Sequence, residues 1–333
     1  MAPSPASERS LADELLTRCV SKNAMRGPPN DRERESMPKN VGVIGLGAMG
    51  LGVARSLLRA GFRTHACDVR RAVLDAFAAE GGVACATPAK LGAACEVVLT
   101  LVVNAEQTEA VLLGEHGAAG AMRPGSLVIA SATVAPEFAE SLAARLAAKR
   151  ICMIDAPVSG GAAKAASGQM TVMASGAPEN FAKAEDVFNA IAQKVYRLGD
   201  APGAGSKVKM INQLLAGVHI AAAAEAMAMG IRAGADPAVL YEVISNSAGA
   251  SWMFQNRVPH ILAGDYAPLS AVSIFVKDLG IVLDSAKKSA FPLPLTAAAH
   301  QMFLMAAAAG RGGEDDSAVV KNYPGIELPQ KKG

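Results

Sequence analysis

Val41-Gly42-Val43-Ile44-Gly45-Leu46-Gly47-Ala48-Met49-Gly50 is the stretch on which the reading of this chain turns. Its first four residues form a short apolar run that reads as a buried strand. Three glycines then fall at the G-x-G-x-x-G spacing, and a helical stretch over 49–60 follows, stopped by Gly61. The first glycine allows the tight turn, the second lets a pyrophosphate approach the backbone, and the third lets helix and strand pack closely. The helix start offers N–H groups and a positive dipole end to phosphates. Alone the fingerprint is weak. Between a strand and a helix it is strong, and it makes Gly45, Leu46, Gly47, Ala48, Met49 and Gly50 candidate cofactor contacts. Asp68 ends the next predicted strand, 62–68. A carboxylate there accepts from ribose hydroxyls and repels a 2′-phosphate, so NAD is expected over NADP. Arg70 and Arg71 follow and partly offset that repulsion. Some methyltransferases share the fingerprint, so it does not by itself name a reaction.

Outward from this turn, strands are predicted at 97–103, 127–130, 151–154, 170–174 and 195–198, with helices between most of them. Such alternation means crossover helices and a parallel, doubly wound Rossmann-type sheet. After Gly199 no strand is predicted. A long run over about 206–233, broken by Lys207, Lys209, His219, Glu225 and Arg232, reads as a buried central helix rather than a membrane span. Helices at 238–245, 251–262, 272–289 and 295–309 complete an all-α region, and the polar tail after Gly310 is expected on the surface. The expected fold class is α/β with an all-α C-terminal part. Residues 1–39 read as a disordered extension, 40–200 as an NAD-binding domain, and 201–333 as a helical substrate and dimerisation domain. The extension has no apolar signal core and carries Glu8, Asp13, Glu14, Asp31, Glu33 and Glu35, against a secretory or mitochondrial leader. Met37 is a sensible functional start, and a cytoplasmic protein is expected.

Composition narrows the function. The 333 residues are 51% hydrophobic and 19% charged, which is globular material. Lys plus Arg is 32 and Asp plus Glu is 30, so no strong field recruits nucleic acid or an anionic membrane. Aromatics are 4%, with Trp252 the single tryptophan, so base-stacking platforms are not expected. Cysteines at 19, 67, 85, 95 and 152 form no Cys-x-x-Cys pair, and the five histidines are scattered. Neither a metal site nor a disulfide framework is expected.

Four ordered motifs resemble the β-hydroxyacid dehydrogenases over residues 40 to about 328. The segment 43–50 is similar to that family's cofactor signature. Asp155-Ala156-Pro157-Val158-Ser159-Gly160-Gly161 is similar to its substrate segment, 203–212 to its catalytic segment, and Phe275-Val276-Lys277-Asp278-Leu279 to a Lys-Asp motif of its helical domain. The resemblance implies that Lys209 is the general base for alcohol oxidation, with the spacing to Asn212 selecting it over Lys207. Oxidation removes a proton from the hydroxyl, so the base must lie beside the reacting oxygen and have its pKa lowered. Asn212 shares a helix face with Lys209 and is expected to orient it or hold a substrate hydroxyl. Gln213 stands where the family often has a second Asn. Ser159, Gly160 and Gly161 are expected to hold a substrate carboxylate through backbone N–H groups. Thr133 is implied against the nicotinamide, or else caps the helix near Pro136. Asn104 faces the ribose, in a loop where Val103 replaces the usual Pro. Lys277 reaches across the cleft to the cofactor, and Asp278 steadies the helix or the cleft.

The substrate is harder to read. The segments 270–280, 313–321 and 159–166 resemble the L-threonate-oxidising branch of the family. They imply NAD-dependent oxidation of L-threonate to a 2-oxo-tetronate. The alternatives are a 3-hydroxyisobutyrate or tartronate semialdehyde enzyme and, in another class, a non-catalytic dinucleotide-binding scaffold. The Ala-rich helix permits close approach of a second subunit, so a homodimer or homotetramer is expected.

Overall fold

The computed structural model describes residues 39–331. The expectations for residues 1–38, including a start at Met37, lie outside the described residues. In β1 (Asn40–Ile44), Val41 and Val43 face one side and Gly42 and Ile44 the other, all buried. A strand apolar on both faces belongs inside a helix-covered parallel sheet. It is joined there by β2 (Arg63–Cys67), β3 (Val83–Ala84), β4 (Val97–Thr100), β5 (Leu127–Ala130) and β6 (Cys152–Asp155), in the order β3-β2-β1-β4-β5-β6. Every pairing is parallel, and Val43 sits opposite both Ala66 and Leu99. The crossovers carry α1 (Ala48–Arg59), α2 (Arg71–Ala79), α3 (Pro88–Ala94), α4 (Ala105–Leu113) and α5 (Pro136–Ala147). One face of the sheet packs Val41, Val43, Leu57, Leu99 and Ile129 together. The other packs Ile44, Leu91, Val98, Leu112, Val128 and Leu142. Strand order reverses between β1 and β4, and ligands of such sheets bind in the crevice beyond the carboxyl ends at that point. The glycine turn opens there.

The strands expected at 170–174 and 195–198 do not extend this sheet. With β7 (Val158–Ser159), β8 (Met170–Ala174) and β9 (Ala192–Arg197) form a separate three-stranded sheet in which β7 and β8 run antiparallel. The reason is the connection. Only α6 (Gly161–Ser167) and its left-handed cap Gly168 separate β7 from β8, and about ten residues are too few for a parallel crossover. Between β8 and β9 runs α7 (Pro178–Ile191), which lays Phe181 and Phe188 onto the first core.

Beyond residue 200 the chain is helical. The helices are α8 (Ala204–Arg232), α9 (Pro237–Ser245), α10 (Trp252–Ala263), α11 (Val272–Lys288) and α12 (Pro294–Ala306). By length and composition α8 could cross a membrane, but here it packs Ile220, Ala221, Ala224 and Ala228 against Phe275, Leu279 and Phe303. Small side chains let these helices approach closely, and a side chain at Gly217 would press on Leu279 at 2.8 Å. The tail is not on the surface as its polarity predicted. A 3₁₀ turn, Asp316–Asn322, carries Ala318, Val319 and Val320 into the helical core at 0% exposure. Its acids are buried because they are partnered. Asp316 pairs with Arg257 at 2.5 Å, and Asp315 accepts from Ser317 and Leu269. Burial still pushes the Asp316 carboxyl up to about 6, against the pull of Arg257.

Candidate active site

The glycine turn is built as the fingerprint requires. Gly45 sits at φ +94°, and a side chain there would meet the Leu101 carbonyl at 2.7 Å. A side chain at Gly50 would collide with the Gly45 carbonyl, so the third glycine does fix helix-to-strand packing. Gly47 begins α1. Among the described residues no side chain caps the first turn, and a methyl group at Gly47 would meet no atom within 4 Å. The first-turn N–H groups and the dipole end are thus free of side-chain acceptors and fit an anionic pyrophosphate.

Asp68 lies beside the turn. Its Oδ2 accepts from the Leu46 N–H at 2.6 Å, and its Oδ1 from the backbone N–H and Nε of Arg70 at 2.8 and 2.9 Å. Burial works against its charge, but these hydrogen bonds outweigh it and hold the carboxyl below its ordinary value. Arg70 also donates to the Leu46 carbonyl, whereas Arg71 turns away to Asp75. Asn104 caps α4, its Oδ1 accepting from Gln107 at 2.8 Å, so that oxygen is committed to the helix. Thr133 does not cap α5, whose start at Ala135 has no side-chain cap.

The lysine expected as base is 7% exposed. Lys209 Nζ donates to Gln213 Oε1 at 2.8 Å, and Asn212 Nδ2 donates to the same oxygen at 3.0 Å. Gln213 Nε2 in turn donates to Asp278 Oδ2 at 2.6 Å. Asp278 Oδ1 lies 2.6 Å from Lys277 Nζ, which donates to the Thr133 carbonyl at 2.9 Å. One polar chain therefore runs Lys209–Gln213–Asp278–Lys277–Thr133 and ties α8 to α11 and to the loop after β5. Burial lowers the Lys209 pKa to about 8; Asp278 pulls it up and Lys277 pushes it further down. Lys207 is exposed and takes no part.

Two expectations shift in detail. The residue that touches Lys209 is Gln213, four positions on, and Asn212 supports it through the glutamine. Asp278 steadies more than a helix, because it is the acceptor that orients Gln213. The Lys209-to-Gln213 spacing was visible in the sequence. The Asp278 partner was not, since it lies 65 residues away. The Ser159–Gly161 turn lies at the end of β7, with Gly160 and Gly161 at φ +131° and +70° and the Lys164 stem lying over Gly160. No hydrogen bond among the described residues joins this turn to Lys209; the link between them is Asp155, whose Oδ2 accepts from Ser206 N at 2.8 Å.

Comparison with known proteins bears on the family of the chain. Residues 40–199 match the model for the NAD-binding domain of 6-phosphogluconate dehydrogenase. Residues 203–323 match that for the NAD-binding region of NADP-dependent 3-hydroxyisobutyrate dehydrogenase. The L-threonate dehydrogenase of Cupriavidus necator is 72% identical, covering 89% of this chain and 99% of that one. That of Escherichia coli K12 is 51% identical over 88% and 97%. A crystal structure described as 3-hydroxyisobutyrate dehydrogenase from Salmonella typhimurium superposes with a TM-score of 0.82 at 52% identity, covering 86% of this chain and all of that one.

Proposed function

The chain belongs to the β-hydroxyacid dehydrogenase family, and on that premise we propose that it oxidises L-threonate to a 2-oxo-tetronate with NAD, using Lys209 as the general base. It is a nicotinamide-dependent hydroxyacid dehydrogenase; the substrate, the preference for NAD and the residue roles are our reading. The observation that carries it is Lys209, buried, held by Gln213 and lowered to about 8. At pH 7 such a lysine is neutral in about a tenth of molecules, far more than an exposed one near 10.4.

The uncapped α1 start and the open Gly47 fit a dinucleotide pyrophosphate, and Asp68 fits an unphosphorylated ribose. When bound, the nicotinamide supplies the hydride acceptor. The protein's own part is the proton. Neutral Lys209 Nζ takes it from the substrate hydroxyl as the carbonyl forms, and returns it in reduction. Lys277 and Asp278 keep Gln213 aligned so that Nζ keeps one direction. The Ser159–Gly161 turn holds the substrate carboxylate, with Asn212 left to meet a hydroxyl. Thr133 and Asn104 line the cofactor side. A site with several polar groups suits a polyhydroxy acid, because it rejects analogues that leave those groups unpaired.

We read residues 40–200 as the cofactor domain and 201–333 as the substrate and dimerisation domain of a cytoplasmic homodimer or homotetramer. Exposed Val208, Ile211 and Leu215 on α8, with Val239 and Val243 on α9, support a second copy against the helices, which sedimentation measures. The function is tested by steady-state assays of L-threonate, 3-hydroxyisobutyrate and tartronate semialdehyde with NAD and NADP. The highest kcat/KM is expected for threonate with NAD. A preference for 3-hydroxyisobutyrate, the name carried by the Salmonella structure, overturns the substrate.

A further inference from the structure

A second buried charge touches the helix of the base without belonging to the lysine chain. Asp155, the last residue of β6, is 1% exposed. Its Oδ2 accepts from the Gly203 N–H at 3.0 Å and the Ser206 N–H at 2.8 Å, and its Oδ1 accepts from Ser206 Oγ at 2.7 Å. Ser175, just past β8, accepts from the Gly205 N–H at 2.9 Å. Its own hydroxyl reaches Asp155 Oδ2 at 3.4 Å, and the two residues exchange backbone hydrogen bonds in both directions. Gly203 begins α8 without a side chain to cap it. Three N–H groups of the helix start, those of Gly203, Gly205 and Ser206, are therefore capped from outside, by the last residue of β6 and the residue after β8. Gly205 makes this approach possible, since a side chain there would meet the Asp155 carbonyl at 2.8 Å.

This is a costly way to start a helix. A serine or aspartate at the first position caps a helix from the surface without burying a charge. Burying a carboxylate costs several kcal/mol unless its hydrogen bonds are complete. Burial does push the Asp155 pKa up, against the bonds from Ser206, Gly203 and Ser175. What the arrangement gives in return is register. Ser206 lies three residues ahead of Lys209, about 4.5 Å along the axis. From the same Asp155 the chain runs through Ala156 and Pro157 into β7 and the turn at Ser159–Gly161. One residue thus sets the start of the base helix and the start of the segment assigned to the substrate.

We propose that Asp155, acting through Ser206 with Ser175, is a positioning residue that fixes Lys209 Nζ relative to the Ser159–Gly161 turn. The proposal rests on the reading of Lys209 as the base. It predicts damage confined to the proton-transfer step, where a structural role would damage folding and cofactor binding alike.

The test uses full-length Asp155→Asn and Ser206→Ala, each alone and combined with Lys209→Ala. They are assayed with NAD and the hydroxy acid that the unaltered enzyme turns over fastest. Asp155→Asn is expected to lower kcat about a hundredfold and Ser206→Ala about tenfold, as misplacement of a reacting group does. The NADH dissociation constant, read by fluorescence, should stay within about threefold, within the scatter expected of a site left intact. The rise of kcat with pH that Lys209 sets should move to higher pH as water reaches Nζ. In the Lys209→Ala background neither change should cost anything more. Additive losses, an unmoved pH profile, or kcat and NADH affinity falling together overturn the proposal. If Asp155→Asn does not fold, Ser206→Ala keeps the carboxylate and decides by the same readouts. Full turnover in Lys209→Ala alone overturns the base assignment, and the positioning role with it. Loss in Lys209→Ala without loss in Asp155→Asn and Ser206→Ala overturns the positioning role only.

Discussion

Two helices that face the cleft begin in the same way and end up with opposite jobs. Helix α1 follows Gly45-Leu46-Gly47 and α8 follows Gly203, with Gly205 in its first turn; neither capping position, Gly47 or Gly203, has a side chain to cap with. Both present N–H groups and the positive end of a dipole. At α1 no side chain among the described residues answers them, and none of those residues fills the space beside Gly47. At α8 Asp155 and Ser175 answer them, and Gly205 is packed against backbone. The first start suits a ligand that comes and goes. The second is a fixed mount, and Lys209 stands one turn along it. A glycine-rich helix start is thus a binding site only if the rest of the protein leaves it unfilled.

The largest effect is expected where the mount delivers its lysine. Lys209→Met should lower kcat about a thousandfold, the contribution of a placed general base, while NADH binding persists in a fluorescence titration. The same change should raise stability at pH 7 by about 1–3 kcal/mol in urea unfolding, because a buried ammonium is removed. The sign follows from linkage. The folded pKa of about 8 lies below the ordinary 10.5, so the unfolded chain holds more protons between those values. Stability of the unaltered enzyme should therefore rise from about pH 8 to about 10.5, and Lys209→Met should lack that rise.

Next come the two glycines, which should fail in opposite ways. Gly205→Ala should lose about 2–3 kcal/mol of unfolding free energy through overpacking against Asp155 and Met173. Gly47→Ala should leave stability within about 0.5 kcal/mol, yet weaken NADH roughly tenfold, since its methyl occupies space the protein itself does not use. Equal losses of stability at both would remove the contrast between the two helix starts. The smallest effect is expected at the ribose end. Asp68→Asn keeps one of the two acceptor oxygens used by Leu46 and Arg70 and removes the repulsion, so the ratio of kcat/KM for NAD to that for NADP should fall about five- to tenfold. An unchanged ratio would mean that Arg70, already paired with Asp68, neutralises its charge in the native enzyme.

Much of this was legible from sequence, for local reasons. The strand, glycine turn and helix at 40–59 are set by neighbours a few residues apart, and the long helix at 204–232 by its richness in strong helix formers such as Ala and Met. Strand propensity carries no direction, so the sequence places β8 and β9 in the main sheet and gives no sign of β7. The tail was placed outside because Asp315 and Asp316 are charged, and their partners Arg257 and Leu269 lie far back in the chain. The family resemblance and helical facing both favour Asn212 over Gln213. At the helix surface three and four residues on are both neighbours, and only Asp278 on α11 decides which amide turns to the lysine.

The sequence by itself determined the glycine turn between strand and helix and the succession of a sheet part and a helical part, and it gave the expectation, from the family's motifs, that Lys209 is the base. Those follow from backbone sterics, hydrophobic period and residue chemistry, which act over a few positions. The tertiary structure alone decided which helix start stays open, what holds Lys209, and which acid anchors its helix. Asp155 meets Ser206 across 51 residues, Gln213 meets Asp278 across 65, and Lys277 meets Thr133 across 144. A buried polar group must find its partner wherever the fold brings one, and that constraint is three-dimensional.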